Sequence, residues 1–211
     1  MKLYTYYRSS AAYRVRIALN LKGIAYEQVP VDLRAGAQRA AEYLEHNPQG
    51  LVPSLQDGGA TLGQSLAIIE YLEERHPEPR LLPGTALDRA RVRALALAVA
   101  CDLHPLNNQR VLNYLRAPLG QDESAVEAWY RHWIAEGFRA LEQMVRHTSD
   151  GHHLYGGHVT LADVCLAPQV FNARRFNCDL APYPTLCSVE AYLATLPAFA
   201  AAAPAAQPDA P

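Results

Sequence analysis

The sequence predicts a small α/β domain followed by an all-helical one. Three observations carry this. Residues 1–80 alternate between strand-like and helix-like runs; a proline-rich stretch, "PEPRLLPG" at 77–84, then interrupts the pattern; and beyond it apolar residues recur at helical spacing with no convincing strand. The domains are set at 1–80 and 88–203, with 81–87 as a linker and 204–211 as a tail.

Taken in order, "KLYTYY" (2–7) is rich in aromatic and apolar residues and reads as a buried strand. From Ser10 the period changes: Val15, Ala18, Leu19 and Lys22 recur at helical spacing, and Gly23 stands where such a helix stops. "YEQVPVDL" (26–33) is a second strand, and "AAEYLEHN" (40–47) a short helix ending in the turn "NPQG". "LVPSLQ" (51–56) and a strand through Thr61 and Leu62 flank Asp57-Gly58-Gly59, a hairpin signal. "SLAIIEYLEERHP" (65–77) closes the unit as an amphipathic helix stopped by Pro77. Helices are then expected near 86–116, 123–147, 160–175 and 186–196, and "AAAPAAQPDAP" is expected to fray with little to bury.

Bulk composition narrows the function. The chain has 211 residues, half of them apolar and a fifth charged, which suits a globular protein with a good core. A net charge of −2 gives no reason to expect nucleic acid or an anionic membrane as partner. The longest apolar run, "LALAVAC" (95–101), is too short to span a bilayer, and "MKLYTYYRSS" has no apolar signal core, so a cytoplasmic protein is expected. Cys101, Cys165, Cys178 and Cys187 lie far apart without a C-x-x-C pair and read as reduced thiols. His152 and His153 fall in a polar loop and no H-E-x-x-H pattern occurs, so no metal site is expected.

Polar residues gather where elements meet. At "YYRSSAAYRVRIALNLKG" (6–23), a serine is either a plain N-cap or a donor to an anion. A helix N-terminus carries partial positive charge and spare N–H groups, and stabilises an anion, a thiolate included. Arg8 adds a full charge beside Ser9 and Ser10, and since Ala11 and Ala12 follow, any thiolate arrives on a ligand. In "LVPSL" a cis Val52–Pro53 bond would offer the Val52 backbone to an extended, peptide-like ligand. In "GQSLAI", Gln64 and Ser65 open the last helix of the domain, where Ser65 is either an N-cap or a carboxylate site.

The helical domain has its own cluster. In "CDLHPLNNQRVL", His104, Asn107, Asn108 and Val111 are spaced for one helical face, turned either to solvent or to a ligand. Pro105 would kink this helix, and Arg110 lies off the face unless the kink redirects it. "TLAD" (160–163) has capping-box spacing and reads as structural.

These residues resemble the glutathione transferase family, which joins a thioredoxin-like N-terminal domain to an all-helical C-terminal one. "RSSAAYRVRIALNLKG" is similar to the zeta-class signature, serine-serine-cysteine-x-x-arginine-valine-arginine-isoleucine-alanine-leucine. The likeness continues through "NPQGLVPSL", "GQSLAIIEYLEE", "CDLHPLNNQRVLNYL" and "TLADVCLAPQVFNARRFNCDLAPYPTL", nearly the whole chain apart from the tail.

The resemblance implies a homodimer that uses glutathione to isomerise the cis double bond of a small dicarboxylic substrate, maleylpyruvate or maleylacetoacetate. It implies that Ser9, Ser10 and Arg8 are catalytic. Glutathione would be held by Ser9, Gln49, Val52, Pro53, Gln64 and Ser65, with His104 and Asn108 reaching it from the helical domain. Arg8, Arg110 and Arg175 would take the substrate carboxylates, Arg175 being preferred to Arg174, and Arg110 would favour the shorter dianion, maleylpyruvate. Ala11 replaces the family cysteine, which leaves the glutathione sulfur as nucleophile. A general conjugating or dehalogenating transferase, or a non-catalytic glutathione-binding protein, are the alternatives on the same fold.

Overall fold

Strands β1 (Lys2–Thr5), β2 (Glu27–Pro30), β3 (Ser54–Asp57) and β4 (Ala60–Gly63) form one sheet in the order β2-β1-β3-β4. The computed structural model describes residues 1–211 and divides into two units, Met1–Arg80 with Thr195–Pro211, and Leu81–Ala194. β1 runs parallel to β2 and antiparallel to β3, which is antiparallel to β4. A parallel pair needs a crossover, and helix α1 (Ser10–Leu21) supplies it. Asp57 pairs with Ala60, so Gly58 and Gly59 make the two-residue loop that the sequence signals.

Helices α1 and α3 (Ser65–Arg75) pack on each other, burying Val15, Ile17, Ala18 and Leu19 with Ile68, Ile69 and Leu72. α1 ends as expected at Gly23, whose φ of 63° lets its N–H reach Asn20 O while Ile24 N–H reaches Leu19 O. Lys22 is not part of an apolar stripe. Its ammonium is buried against Glu73 at 2.7 Å and the carbonyls of His76 and Pro79, tying the ends of α1 and α3 together.

Both early strands are shorter than expected. β1 stops at Thr5 because Tyr6 O accepts the Ser9 N–H at 2.9 Å, which turns the chain. β2 ends at Pro30; Val31 still donates to Thr5 O, after which Asp32 caps a turn through the Arg34 N–H. A short helix, α2 (Ala41–His46), follows as read.

The expected frayed tail is a correction. Helix α9 (Pro197–Ala202) lies against α1, with Asn20 donating to Ala198 O and Arg16 to Ala202 O, both at 3.0 Å, and Phe199 buried. Gln207 is buried as well: its amide donates to Ala201 O and Ala203 O and accepts from Gln28 on β2. The residues from 195 onward thus belong with the sheet, where they supply acceptors to the buried Arg16 and to Asn20 and Gln28.

The other unit is helical: α4 (Ala86–Leu97), a π-helical turn (Ala98–Leu103), α5 (Gln109–Arg116), α6 (Glu123–Val145), α7 (Leu161–Arg175) and α8 (Pro184–Thr195). α7 is buried almost all round, as a helix at the centre of a bundle must be. The single helix expected over 86–116 does not form. Leu103 packs where Gly137 of α6 lacks a Cβ, Pro105 brings no N–H, and the chain turns before Asn108 caps α5 through the Arg110 N–H.

The "TLAD" box is present and fully buried. Asp163 accepts from Thr160 N–H at 2.7 Å, Thr160 Oγ1 at 2.8 Å and Leu154 N–H at 2.8 Å. Burial pushes this carboxyl up from its ordinary value, and the same three hydrogen bonds act against that. Asp163→Ala strands the donors, so urea unfolding is expected to show a loss of roughly 3 kcal/mol or more. A loss under about 1 kcal/mol would mean that the box is not what anchors α7.

Candidate active site

The Tyr6–Ser9 turn delivers the polar residues of the first junction. Ser9 has extended backbone and caps α1, its hydroxyl accepting the Ala12 N–H at 3.2 Å. The capping reading and the anion reading are therefore compatible. A hydroxyl that accepts one hydrogen bond still has its own proton to donate, and the Ser10 and Ala11 N–H groups stand ahead of Ala12 in the same turn. Ser9 is half-buried, whereas Ser10 is buried as the first residue of α1. Arg8 is half-buried too. Its guanidinium bonds Tyr6 Oη at 3.3 Å and sits 5.2 Å from the Tyr7 ring centroid, so two tyrosine rings fix its direction.

The Val52–Pro53 bond is cis. β3 starts only at Ser54, so the Val52 peptide groups lie outside the β1–β3 ladder, next to its last pair, Tyr4–Ser54. The loop before it is held from below: Leu51 O accepts from Tyr43 Oη at 2.7 Å and Asn47 Nδ2 at 2.8 Å, while Asn47 Oδ1 takes the Gln49 N–H. Burial pushes the Tyr43 phenol up to about 12, so it remains a donor. Gly50 sits at φ 59°, and a Cβ there would press on Gln38 O.

Gln64 is brought to Gln49. Its Nε2 donates to Gln49 Oε1 at 2.9 Å, and its own φ of 65° is a conformation that a side chain disfavours. An unfavourable backbone at the entry of a helix, beside an exposed amide pair, suits a ligand-binding position. Ser65 does not cap: it begins α3, and its hydroxyl accepts from Arg14 Nη1 at 3.4 Å. Arg14, buried on α1, adds positive charge to the N-terminus of α3, where a carboxylate would be stabilised. The sequence reading missed Arg14 as a site residue. It shares α1 with Ser10, Arg16 and Asn20, so the sequence alone gives it the look of a surface residue.

In the helical unit His104, Asn107, Asn108 and Val111 do not share a helical face, because the chain turns between the π-helical turn and α5. Asn107 is buried and donates to Tyr130 O at 3.2 Å, Trp129 Nε1 donates to Leu106 O at 2.9 Å, and His104 is half-buried at the start of the same turn. Tyr130 also stacks on Phe176, centroids 3.7 Å apart, and Arg175 lies 4.5 Å over Phe176. Two aromatic residues, Tyr130 of α6 and Phe176, thus connect the 104–108 turn with Arg175. Arg174 is engaged by Glu190 at 2.8 Å, and Arg110 is exposed in the first turn of α5.

A thioredoxin-like sheet with a cis-proline loop, joined in sequence to a helical unit with a buried capped helix, defines a class of protein. Residues 3–80 match the model of the glutathione S-transferase N-terminal domain and residues 127–204 that of the C-terminal domain. The chain belongs to the glutathione S-transferase family. A probable maleylacetoacetate isomerase from Vibrio cholerae is 54% identical over 99% of this chain and 97% of its own length. The holo structure of a maleylpyruvate isomerase, described as a bacterial zeta-class glutathione S-transferase, superposes with a TM-score of 0.98 at 50% identity over the whole of both chains. A maleylacetoacetate isomerase from Methylobacterium extorquens AM1, with bound malonate and glutathione, gives 0.95 at 43% identity, again over the whole of both chains.

Gln64→Gly relieves the backbone at φ 65° and forfeits only an exposed amide contact. After the larger unfolded-state entropy of glycine is set against the relief, the variant is expected to be more stable by about 1 kcal/mol in urea unfolding. A loss of stability would mean that the residue is not strained.

Proposed function

We propose that the protein is a glutathione-dependent cis–trans isomerase of a maleyl diketo acid, converting maleylpyruvate to fumarylpyruvate or maleylacetoacetate to fumarylacetoacetate. The observation that carries this is Ser9: it caps α1 with its acceptor side, keeps a proton to donate, and has Arg8 next to it and no thiol at position 11. When bound, glutathione would supply a thiolate nucleophile able to add reversibly to the activated double bond and so permit its rotation. The chain's own residues do the rest.

Ser9 and the α1 N-terminus hold negative charge on sulfur and so lower the thiol pKa. The Val52 backbone pairs with the peptide part of the cofactor, and Gln64, Ser65 and Arg14 receive its glutamyl carboxylate. Arg8 binds a substrate carboxylate in the bidentate manner open to guanidinium and stabilises charge that develops on the diketo oxygen, and the family resemblance implies the same task for Arg175. Arg110 is a third cation for the shorter dianion. The reading carries with it a homodimer, a small dicarboxylic substrate and a cytoplasmic setting, all taken from the family resemblance or the sequence.

The test mixes protein, glutathione and each maleyl acid and follows loss of enol absorbance. Turnover is expected only with glutathione present; Ala11→Cys leaves the rate nearly unchanged, and Gln64→Gly raises KM for glutathione about tenfold, the loss of a well-placed polar contact. Turnover without glutathione would contradict the mechanism. Arg110→Ala, assayed on both acids, is expected to slow maleylpyruvate selectively; equal effects, or none, remove Arg110 from substrate choice.

A further inference from the structure

The C-terminal segment ends against the turn that carries Arg8 and Ser9. Asp209 Oδ2 accepts the Tyr7 N–H at 2.9 Å, and Arg16 Nη2 donates to Tyr7 O at 2.9 Å. The peptide groups on both sides of Tyr7 are therefore gripped by charged side chains, one from the last residues of the chain and one from α1. Tyr6 O, one residue earlier, is shared by the Ser9 N–H and Arg16 Nη1. Ala210 packs against the small cluster of Tyr6, Tyr7, Val31, Tyr43 and Val52, which also contains the residue before the cis proline.

We propose that Asp209 is a positioning residue of the site: through the Tyr7 N–H it fixes the turn that presents Arg8 and Ser9 to the ligand. The inference rests on the reading of those two residues given above. The geometry distinguishes this contact from incidental packing in two ways. The Tyr7 N–H lies beyond the end of β1, so no strand supplies its acceptor, and Asp209 meets that need across 202 positions of sequence. Gln207 anchors the approach, bonding Ala201 O, Ala203 O and Gln28, so the carboxylate arrives on a fixed backbone. With Asp209 gone, the turn keeps Arg16 on its carbonyls but loses the acceptor of the Tyr7 N–H. Arg8 and Ser9, directly downstream, then sample orientations that no longer match the ligand.

The test compares wild type, Asp209→Ala and Asp209→Asn, the last of which retains an amide oxygen for the Tyr7 N–H. Amide exchange of Tyr7 in the unliganded protein reads the contact itself, and glutathione affinity reads its consequence. Asp209→Ala is expected to lose Tyr7 protection and bind glutathione ~3–10-fold more weakly, the range of one hydrogen bond, while Asp209→Asn restores both. Unchanged protection of Tyr7 in Asp209→Ala overturns the inference. So does lost protection with unchanged glutathione affinity, which would make the tail structural only. A wild-type protein that binds no glutathione overturns the functional reading first, and is distinguishable because the exchange result stands independently. Should Asp209→Ala not fold, Asp209→Ser carries the same readings.

Discussion

One guanidinium organises the first unit. Arg16 has no exposed surface, and its nitrogens reach Thr5 Oγ1, Tyr6 O, Tyr7 O and Ala202 O. Burial pulls its pKa down to about 10, with Tyr26 and Asp209 acting the other way, so it remains charged at neutral pH. A buried charge is tolerable only when its hydrogen bonds are satisfied, and here the acceptors are the end of β1, the turn after it and the last turn of α9. The turn that ends β1 thus also supplies acceptors to one buried side chain, whose remaining acceptor ties the chain's end to α1.

That constraint has a chemical result. Holding the Tyr6–Tyr7 carbonyls sets the entry angle of α1, and with it the direction of the first-turn N–H groups and of the Ser9 hydroxyl. Arg14, two positions earlier on the same helix, does the corresponding work at α3 through Ser65. The two buried arginines of "RVR" therefore act at different junctions of the domain, one by shaping backbone and one by adding charge beside a helix N-terminus.

The features readable from sequence were those with local causes. Gly23 closes α1, Asp57-Gly58-Gly59 turns the hairpin and Thr160 with Asp163 caps α7, because each motif satisfies backbone groups within a few residues. Gln49 and Gln64 were both named as site residues, and the fold brings them to 2.9 Å. Long-range dependence was not readable. Arg14 and Arg16 look like surface residues until their helix proves buried on two sides, and an alanine- and proline-rich tail gives no pattern for a partner two hundred residues away. The break at 104–108 was half visible: Pro105 signalled a kink, but the space over Gly137 that admits Leu103 depends on another helix.

The central claim is that the held turn makes the α1 N-terminus a thiolate site with Ser9 as its side-chain donor. Ultraviolet titration of glutathione bound to wild type, Ser9→Ala and Ser10→Ala measures this directly. The account predicts a thiol pKa in the wild-type complex well below the ordinary thiol value of about 8.5, and a return toward that value in Ser9→Ala but much less in Ser10→Ala. An unchanged pKa in Ser9→Ala, with a raised one in Ser10→Ala, would contradict it.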